Sequence, residues 1–365
     1  MPNPSVVYLF GAGATQAAVS AIDEGCKVLI QDITQDVFLT IRKENLQDLL
    51  PLSNALLPEG IDIEHLISHL LATFNPLRAR QADQLRGLFR ASLLRRLRRF
   101  SSATVPTLFT ALFNFHTLPR QPETLKGIIS LNYDQLADIA FNQVFGGINY
   151  ALRIDAQHSQ IHSSEKAPPF IKLHGSFNWQ DRTPIALVDE ESVAADDAVW
   201  IPPGLAKTRD HYPFDILWGR AHELLDCEIL RVVGCSLNPS DMHLVSMLFR
   251  TQALSGQPQR YRIQLIDYPD ACARITSTYG YLAMEGIIDQ PEFLASIASE
   301  LFPQDPAELP LSEDQVSEIV RFLDSRNVNI FDRWLHAKIE ALVLADPSTR
   351  PTTGPLASYM GWEER

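Results

Sequence analysis

Residues 6–15, VVYLFGAGAT, join an apolar run to a glycine-rich turn near the start of the chain. The run Val6–Phe10 has the length of a strand, Gly11 and Gly13 follow it, and the small-residue segment 16–22 is typical of a helix. This order is the phosphate-binding unit of nucleotide-binding folds, because glycines allow a tight turn and the N–H groups of the first helical turn face an anion. The stretch therefore predicts a nucleotide site at the end of the first strand of a parallel sheet.

Four later apolar runs extend this prediction to the rest of the sheet. Each is nearly continuous rather than alternating, and helix-sized connections separate them, as a parallel sheet covered on both faces requires. The fold class we predict is α/β, with a Rossmann-like parallel sheet. The four runs are GIISLN at 127–132, FIKL at 170–173, EILRVVG at 228–234 and RIQLID at 262–267.

Leucine-rich sequence of helical period interrupts this pattern. It predicts a helical insertion over 38–117 within a nucleotide-binding domain that spans 1–275. A helical C-terminal extension is expected over 276–345, where Ser312 and Gln315 have the spacing of a capping box. The last segment, 346–365, is rich in Pro, Ser, Thr and Gly, and we expect it to have little structure of its own.

Composition limits the classes of function. The chain has 365 residues, 45% hydrophobic and 21% charged, with a net charge of −13 that argues against broad nucleic-acid binding. Four scattered cysteines contain no Cys-x-x-Cys pair, so we expect neither a disulfide framework nor a zinc site. No signal peptide or apolar run of membrane-spanning length is visible in the sequence, and we expect a cytoplasmic protein that meets nucleic acid only through a partner.

The segment QADQLRGLFRASLLRRLRRF at 81–100 carries both an apolar stripe and a cluster of arginines. The stripe, Leu85, Phe89, Leu93, Leu97 and Phe100, predicts an amphipathic helix with one buried face. The arginines either lie on a solvated face against the protein's own carboxylates or bind a phosphate, an acidic partner or a second copy. They are Arg86, Arg90, Arg95, Arg96, Arg98 and Arg99.

Two polar motifs follow predicted strands. FIKLHGSFNW, residues 170–179, delivers His174 to a strand end, and the glycine after it permits close approach of another backbone or a ligand. A histidine that titrates near neutral pH is a candidate proton acceptor. Asn132, in LNYD, can hold a water and a ribose hydroxyl together without adding charge. Phe177 and Trp179 fit either a pocket wall or the core.

The glycine turn also suits a dinucleotide-binding dehydrogenase. KVLIQDIT follows GAGATQA, and its Asp32 lies about where an acid would bind the adenine ribose. Against this interpretation, Gln16 replaces the third glycine of the fingerprint.

The ordered set GAGAT, LNYD, KLHGSFNW, WIPPG at 200–204 and GCSLNPSDMHL at 234–244 resembles the sirtuin-like NADases of bacterial anti-phage defence over roughly residues 5–270. The resemblance implies a sirtuin-like core in which NAD is the substrate and no metal is needed. His174 would be its catalytic histidine, and Asn132 and Asp134 would lie beside the nicotinamide ribose. The pyrophosphate and ribose loop would be Gly11, Ala12, Gly13, Ala14 and Thr15; the adenosine half would lie along Gly234, Ser236, Asn238 and Asp267.

Departures from the sirtuin pattern refine the implied activity. Thr15 is followed by QAAVSAIDEG rather than by Ser-Gly-Ile-Pro, and no paired cysteines exist for the zinc module of a deacylase. Both favour hydrolysis of NAD itself. The resemblance implies a regulated effector that acts as a homo-oligomer or with a partner such as an ATPase or an Argonaute-type protein. The alternative is a non-catalytic sensor of NAD or ADP-ribose. Asp134 also suits a helix cap, and Asp241 is interpreted as a cap.

Overall fold

A six-stranded parallel sheet is the centre of the fold. The computed structural model describes residues 3–56, 61–101, 107–156, 159–190, 192–194, 197–204, 210–238, 241–254, 261–279, 288–289, 313–325 and 328–363. Its strands in chain order are β1 (Ser5–Phe10), β2 (Thr124–Ser130), β3 (Ile154–Asp155), β4 (Phe170–Lys172), β5 (Gly175–Gln180), β6 (Ile185–Leu187), β7 (Ala198–Trp200), β8 (Ile229–Val233), β9 (Arg262–Ile266) and β10 (Ile288–Asp289). The large sheet has the order β10-β9-β8-β1-β2-β4, with every pair parallel.

Strand β1 lies between β2 and β8 and has no accessible surface from Val6 to Phe10. Its run is apolar without alternation because helices cover both faces of the sheet. All four later apolar runs contain a strand of this sheet, namely β2, β4, β8 and β9. The predicted α/β class with a Rossmann-like parallel sheet is therefore confirmed.

Helices occupy most of the remaining described chain. They are α1 (Ala12–Ser20), α2 (Ile30–Lys43), α3 (Leu50–Leu56), α4 (Ile63–Leu71), α5 (Pro76–Ser101), α6 (Thr107–Phe115), α7 (Leu136–Phe145), α8 (Phe214–Leu224), α9 (Met242–Leu254), α10 (Pro269–Thr278), α11 (Glu313–Ser325), α12 (Ile330–Ala345) and α13 (Pro355–Tyr359). Helix α8 packs on β2 and β4, whereas α12 packs on β9 and α1. No described helix is long and apolar enough to cross a membrane.

The helical region after α1 begins earlier than expected. Helix α2 begins at Ile30, eight residues before the predicted boundary at 38, and α6 ends at Phe115. KVLIQDIT is therefore no strand, because Ile33 and Val37 form the buried stripe of an amphipathic helix. Asp32 lies in the first turn of that helix, so the strand-end acid of the dehydrogenase interpretation is wrong.

Helix α5 buries its apolar stripe as predicted. Leu85, Phe89, Leu93, Leu97 and Phe100 are all less than 9% exposed. Several of its arginines contact the protein's own acids or main chain, as the first interpretation expects. The Arg96 guanidinium binds the Asp36 carboxylate, with Nη2–Oδ1 at 2.8 Å, and Arg99 pairs with Asp23.

A smaller sheet with the order β3-β6-β5-β7 adjoins the end of β4. FIKLHGSFNW is not one extended run, because β4 ends at Lys172 in the parallel sheet and β5 begins at Gly175 in the mixed sheet, antiparallel to β6 and β7. The backbone turns at Gly175, whose φ is +73° and whose added Cβ would lie 2.2 Å from the Val199 carbonyl oxygen. His174 lies at this break.

The C-terminal region is more ordered than expected. Within 276–345, α11 and α12 are helical, but β10 adds a strand to the parallel sheet beyond the predicted domain end at 275. Ser312, of the predicted capping box, lies outside the described residues. The segment after 346 contains a 3₁₀ helix and α13, which packs on α6 with Leu356 and Ala357 buried. Apolar contacts therefore order a tail whose composition predicted little structure.

Candidate functional site

The glycine turn after β1 packs directly on the segment after β8. Gly13 donates its N–H to the Gly234 carbonyl at 2.8 Å, and Gly11 donates to the Val233 carbonyl at 3.0 Å. A Cβ added at Gly11 would lie 2.5 Å from the Gly234 oxygen, and one at Gly13 would lie 2.7 Å from the Gly234 Cα. These two glycines are required by this backbone contact, and Gly234 itself has a φ of +55°. The turn and the GCSLN segment therefore form one unit.

Asn132 and Asp134 are connected through Thr15. Asn132 Nδ2 donates to the Gly11 carbonyl at 2.9 Å and to Thr15 Oγ1 at 3.0 Å, and Thr15 Oγ1 donates to Asp134 Oδ2 at 2.9 Å. The other carboxylate oxygen of Asp134 accepts the Leu136 N–H at 3.0 Å, at the start of α7. All three polar side chains are less than 10% exposed. Asp134 thus accepts from the first residue of α7, in the manner of the expected cap, and holds Thr15 beside Asn132; its expected place beside the nicotinamide ribose stays a prediction.

A buried lysine lies beneath this chain of hydrogen bonds. Lys172 Nζ donates to the Asp134 carbonyl at 2.5 Å and to Asp138 Oδ2 at 3.0 Å, and Tyr150 donates to Asp138 Oδ1 at 2.6 Å. Burial raises the pKa of Asp134, against the opposing charge of Lys172. Lys172 and Asp138 neutralise each other's charge, and this ion pair holds β4 against α7 at the carboxyl end of the sheet.

His174 follows β4, which pairs with β2, the strand that precedes Asn132. Its side chain is 5% exposed, and its Nε2 lies 3.9 Å from Asp241 Oδ1, whose side chain is 15% exposed. The Tyr133 ring stacks beside the imidazole with centroids 6.1 Å apart, and the His174 carbonyl accepts the Ile201 N–H at 2.8 Å. The imidazole therefore lies near both the Tyr133 ring and an acid that the sequence indicated only as a helix cap.

The helical insertion also reaches this end of the sheet. Glu64, in the first turn of α4, accepts the Gly204 N–H at 3.4 Å, and therefore contacts the WIPPG segment. Burial raises the pKa of Tyr133, and the charges of Glu64 and Asp241 raise it further. Two acids from distant parts of the chain thus give a negative potential around Tyr133.

A second insertion contact involves Glu190, which lies between β6 and β7. Arg90 Nη2 of α5 donates to the Glu190 carbonyl at 2.8 Å and to the Phe177 carbonyl at 3.2 Å, and its guanidinium lies 5.4 Å from the Phe177 ring centroid. The Glu190 side chain is buried near Asp134, and its Oε1 has no hydrogen-bond partner among the described residues. Burial raises its pKa to about 7, and Asp134 contributes to the shift.

The residues expected along the adenosine half lie on the β8 and β9 side. Ser236 and Asn238 are exposed, and Asp267 is half-buried at the end of β9. The Asp267 carboxylate accepts the Tyr268 N–H at 2.8 Å, and burial raises its pKa to about 6. Gly234 N donates to the Ile266 carbonyl at 3.1 Å, which joins these two strand ends.

Most of the predicted site residues therefore meet at the carboxyl ends of β8, β1, β2 and β4. In the glycine turn Ala12 is exposed, whereas Ala14 is buried and the Thr15 hydroxyl is used within the protein. Gln16, which replaces the third glycine, binds the Cys26 carbonyl at 2.8 Å and the Val28 N–H at 2.7 Å. Phe177 and Trp179 have no accessible surface and belong to the core.

Sequence reasoning missed four residues near this site. Tyr133 and Asp241 lie inside the quoted motifs, so their position beside a strand end was a usable signal. Glu64 and Glu190 lie in segments without a motif, and only the tertiary fold brings them here. No group of three or more metal-ligating side chains occurs within the described residues.

One open cavity of about 800 Å³ lies away from this site. Its lining includes Lys126 at the start of β2, Pro169 before β4, and Arg220 and Glu223 of α8. These residues lie at the amino ends of the strands, whereas the polar motifs lie at the carboxyl ends, where parallel α/β sheets bind their ligands. We therefore assign the site by its chemistry and not by the presence of this cavity.

Comparisons with known proteins give a distant likeness. No family profile matches the chain, and no curated protein matches it. Solved structures similar to it include three mutants of a Sir2 homologue, each in complex with ADP-ribose. They are 15%, 15% and 16% identical, with a TM-score of 0.37 in each case and 94% of both chains covered. The fold class above rests on strand order and direction, independently of this likeness.

Proposed function

We propose that this chain is an NAD glycohydrolase that cleaves NAD to nicotinamide and ADP-ribose. The observation that carries the proposal is the meeting of three strand ends, where Asn132 is fixed by Gly11 and Thr15 and follows β2, the strand that pairs with β4 before His174. The residues are a positioned amide and an imidazole, side by side, next to a glycine turn suited to phosphate. Their types and placement match what cleavage of a nicotinamide riboside requires.

The chemistry needs little acid catalysis. Nicotinamide in NAD is cationic and leaves as a neutral molecule when the bond to the ribose C1′ breaks with its electron pair. The barrier lies in the oxocarbenium-like ribosyl cation and in the attack of water on it. Water supplies the new C1′ hydroxyl, and His174 accepts the proton that water loses, an effect worth typically ~10²–10⁴-fold.

The acids around the site favour this reaction. Asp241 lies 3.9 Å from His174, and Asp241 and Glu64 both act on Tyr133. Negative charge in a water-poor site stabilises a cation that develops during reaction. NAD is thus the substrate, and the proposed chemistry assigns no step to a metal.

The alternatives are a dehydrogenase and a non-catalytic sensor of NAD or ADP-ribose. The dehydrogenase loses its ribose-binding acid, since Asp32 lies in a helix. A sensor requires no catalytic base, so substitution of Asn132 and His174 would leave its biological effect unchanged. Measured turnover of NAD therefore distinguishes the hydrolase from the sensor.

The direct test is nicotinamide release from NAD by the purified chain over a range of protein concentrations, beside Asn132→Ala and His174→Ala. We expect release by the wild type and a loss of at least about 10²-fold in each variant. His222→Ala, at an exposed histidine of α8, is the matched control and should retain full activity. Calorimetric NAD binding with no release at any concentration, both for the chain alone and with the candidate partner added, would contradict the hydrolase and indicate the sensor.

We further propose a biological role as a regulated cytoplasmic effector of anti-phage defence, from the motif resemblance described above. Unregulated hydrolysis of NAD would kill the host, so activity should depend on self-assembly or on a partner such as an ATPase or an Argonaute-type protein. NAD measured in infected cells should fall with the wild type and not with His174→Ala. Mass by light scattering, with and without the partner, tests the assembly step.

A further inference from the structure

The surroundings of His174 contain an acid that the resemblance did not assign. Asp241 Oδ1 lies 3.9 Å from His174 Nε2, and both side chains are largely buried. Asp241 directly precedes α9, and its N–H donates to the Asn238 carbonyl at 2.8 Å. The carboxylate belongs to the segment after β8, whereas the imidazole follows β4, so only the fold brings the pair together.

The segment that carries Asp241 is held in an unusual backbone conformation. Leu237 has a φ of +45°, which is rare for a residue with a branched side chain, and its carbonyl accepts the Tyr279 hydroxyl at 2.6 Å. At the other end of the segment, Gly234 packs on Gly13. Strained backbone persists where surrounding contacts fix it, and such positions cluster at functional sites. Residues 234–238 are therefore fixed by the glycine turn and by Tyr279, which follows α10.

Tyr133 and Glu64 are two further titratable groups in the surroundings of this pair. Tyr133, which follows β2, stacks beside His174, and Glu64 of α4 acts on Tyr133 as Asp241 does. Of these three groups, only Asp241 has a charged atom within 4 Å of the ring nitrogen.

We propose that Asp241 is a positioning residue for His174, which holds the imidazole and stabilises the imidazolium that forms when the attacking water gives up its proton. The proposal rests on the proposed hydrolase and deepens it. Asp241 Oδ1 and His174 Nε2 are 3.9 Å apart, and we expect this separation to shorten with substrate bound, as catalytic hydrogen bonds commonly do. The proton taken from water stays on the imidazole until bulk water removes it, and it is not passed to the carboxylate.

A helix cap is the competing role, and one substitution separates the two. Asparagine caps a helix as well as aspartate does, so Asp241→Asn preserves a cap and removes only the charge. We expect an unchanged melting temperature and a fall of about 10- to 10²-fold in kcat for nicotinamide release, with KM changing less. The acidic limb of the pH–rate profile should move to lower pH, since loss of the carboxylate makes the imidazole easier to deprotonate. Asp241→Glu should recover part of the rate.

The matched control is Asp215→Asn, an exposed acid in the first turn of α8, which should change neither rate nor profile. An NMR titration of the His174 imidazole, assigned with His174→Gln, gives a readout that does not require turnover. Its midpoint should fall by about one pH unit in Asp241→Asn, the size expected for an opposite charge 4 to 6 Å away.

The outcomes distinguish this proposal from the proposed function. A shifted midpoint in a protein that releases no nicotinamide would retain the pairing and reject the hydrolase. Release with the same rate, profile and midpoint in Asp241→Asn as in the wild type would retain the hydrolase and overturn the positioning role.

Discussion

Two buried glutamates, at opposite ends of the strands, have the same chemistry and opposite electrostatics. Glu123, just before β2, is 4% exposed, and Glu190, beside Asp134, is 7% exposed. Glu123 binds the Arg231 guanidinium through both oxygens, with Nη2–Oε2 at 2.6 Å. Glu190 receives no such pair, since Arg90 donates to its main-chain carbonyl instead.

The pKa values follow from this difference. Burial alone would raise the pKa of Glu123, but the hydrogen bonds and charge of Arg231 outweigh it and lower the pKa. Burial raises the pKa of Glu190 to about 7. Similar burial therefore has two different results. Glu123 carries a charge that Arg231 neutralises, whereas the Glu190 carboxyl resists ionisation.

The two glutamates differ in their hydrogen-bonded surroundings as well as in pKa. Arg231 also donates to Tyr8 and to Gln264, at 2.9 and 2.8 Å, so each of its nitrogens has an acceptor. At the carboxyl end of the strands, Glu190 Oε1 and both amide atoms of Asn178 have no partner within the described chain. The Arg231 guanidinium is fully paired, although Nδ1 of the neighbouring His116 has no partner in the described part of the chain, whereas Glu190 keeps an unpaired carboxylate oxygen at the end where the proposed chemistry occurs.

The largest expected effect comes from breaking the pair of Glu123 and Arg231. Glu123→Gln leaves Arg231 buried without its counter-charge, and we expect the free energy of unfolding to fall by about 3–5 kcal/mol. Urea denaturation measures it, with the exposed Glu44→Gln as control. Nicotinamide release per folded molecule should be unchanged. A loss of stability below about 1 kcal/mol would mean that this buried pair contributes no more than a surface ion pair does. The contrast between Glu123 and Glu190 would then be wrong.

The next effect concerns pH. Folded Glu190 keeps its proton up to about pH 7, whereas the unfolded chain releases it near 4.5, so its contribution to stability is present below 4.5 and is lost as pH rises to 7. Glu190→Gln should remove this loss and raise the free energy of unfolding at pH 8 by about 2–3 kcal/mol, with little change at pH 4. Urea titrations at both pH values measure it.

Glu123 should behave in the opposite sense. Its folded pKa is lowered, so its stabilisation is present above the ordinary value of 4.5 and is lost as pH falls through the folded value. If the stability contributions of both glutamates changed in the same direction with pH, the contrast between them would be wrong.

A smaller effect sharpens the site side of the comparison. Thr15→Val keeps the shape and removes the hydroxyl between Asn132 and Asp134, which should cost about 1–2 kcal/mol in the free energy of unfolding. Because Asn132 loses one of its two acceptors, nicotinamide release should fall by about tenfold, within the range for misplaced catalytic groups. Thr15→Ser retains the hydroxyl and should retain most of the rate. Equal rates in all three proteins would remove Thr15 from the site.

The smallest effect is at the surface. Arg274 and Asp270 of α10 pair at 2.7 Å, with side chains more than half exposed. Arg274→Ala should change the free energy of unfolding by less than about 0.5 kcal/mol. A larger loss in the same urea assay would mean that the burial of an ion pair does not determine how much it contributes to stability.

The sequence predicted the parts of this fold that local pattern determines. Apolar runs gave the strands of the parallel sheet, and the glycine turn gave its first βα unit. FIKLHGSFNW was expected as one run, because nothing in its apolar pattern distinguishes β4 from β5 and the division occurs at Gly175. KVLIQDIT suits a strand or a helix, and burial of Ile33 and Val37 in the insertion selects the helix.

The candidate site was predictable only where a motif marks a strand end. Asn132, Asp134, His174 and the glycines follow apolar runs and could be found in this way. Glu64 and Glu190 lie in segments of ordinary composition, and their approach depends on how the insertion and the small sheet pack. Asp241 had a local role that was sufficient to explain it, and its distance from His174 is a property of the tertiary structure alone.

The central position of β1 bears on how fast this protein can fold. Its neighbour β8 ends at Val233, and Phe331 and Trp334 of α12 reach the same core, the first beside Phe10 and the second over Arg231, at 6.4 and 5.2 Å. Asn329 also donates to the Ala17 carbonyl at 2.7 Å. The core around β1 is therefore completed by contacts as distant in sequence as this one, which spans 312 residues of chain, and such non-local contacts make folding intrinsically slow.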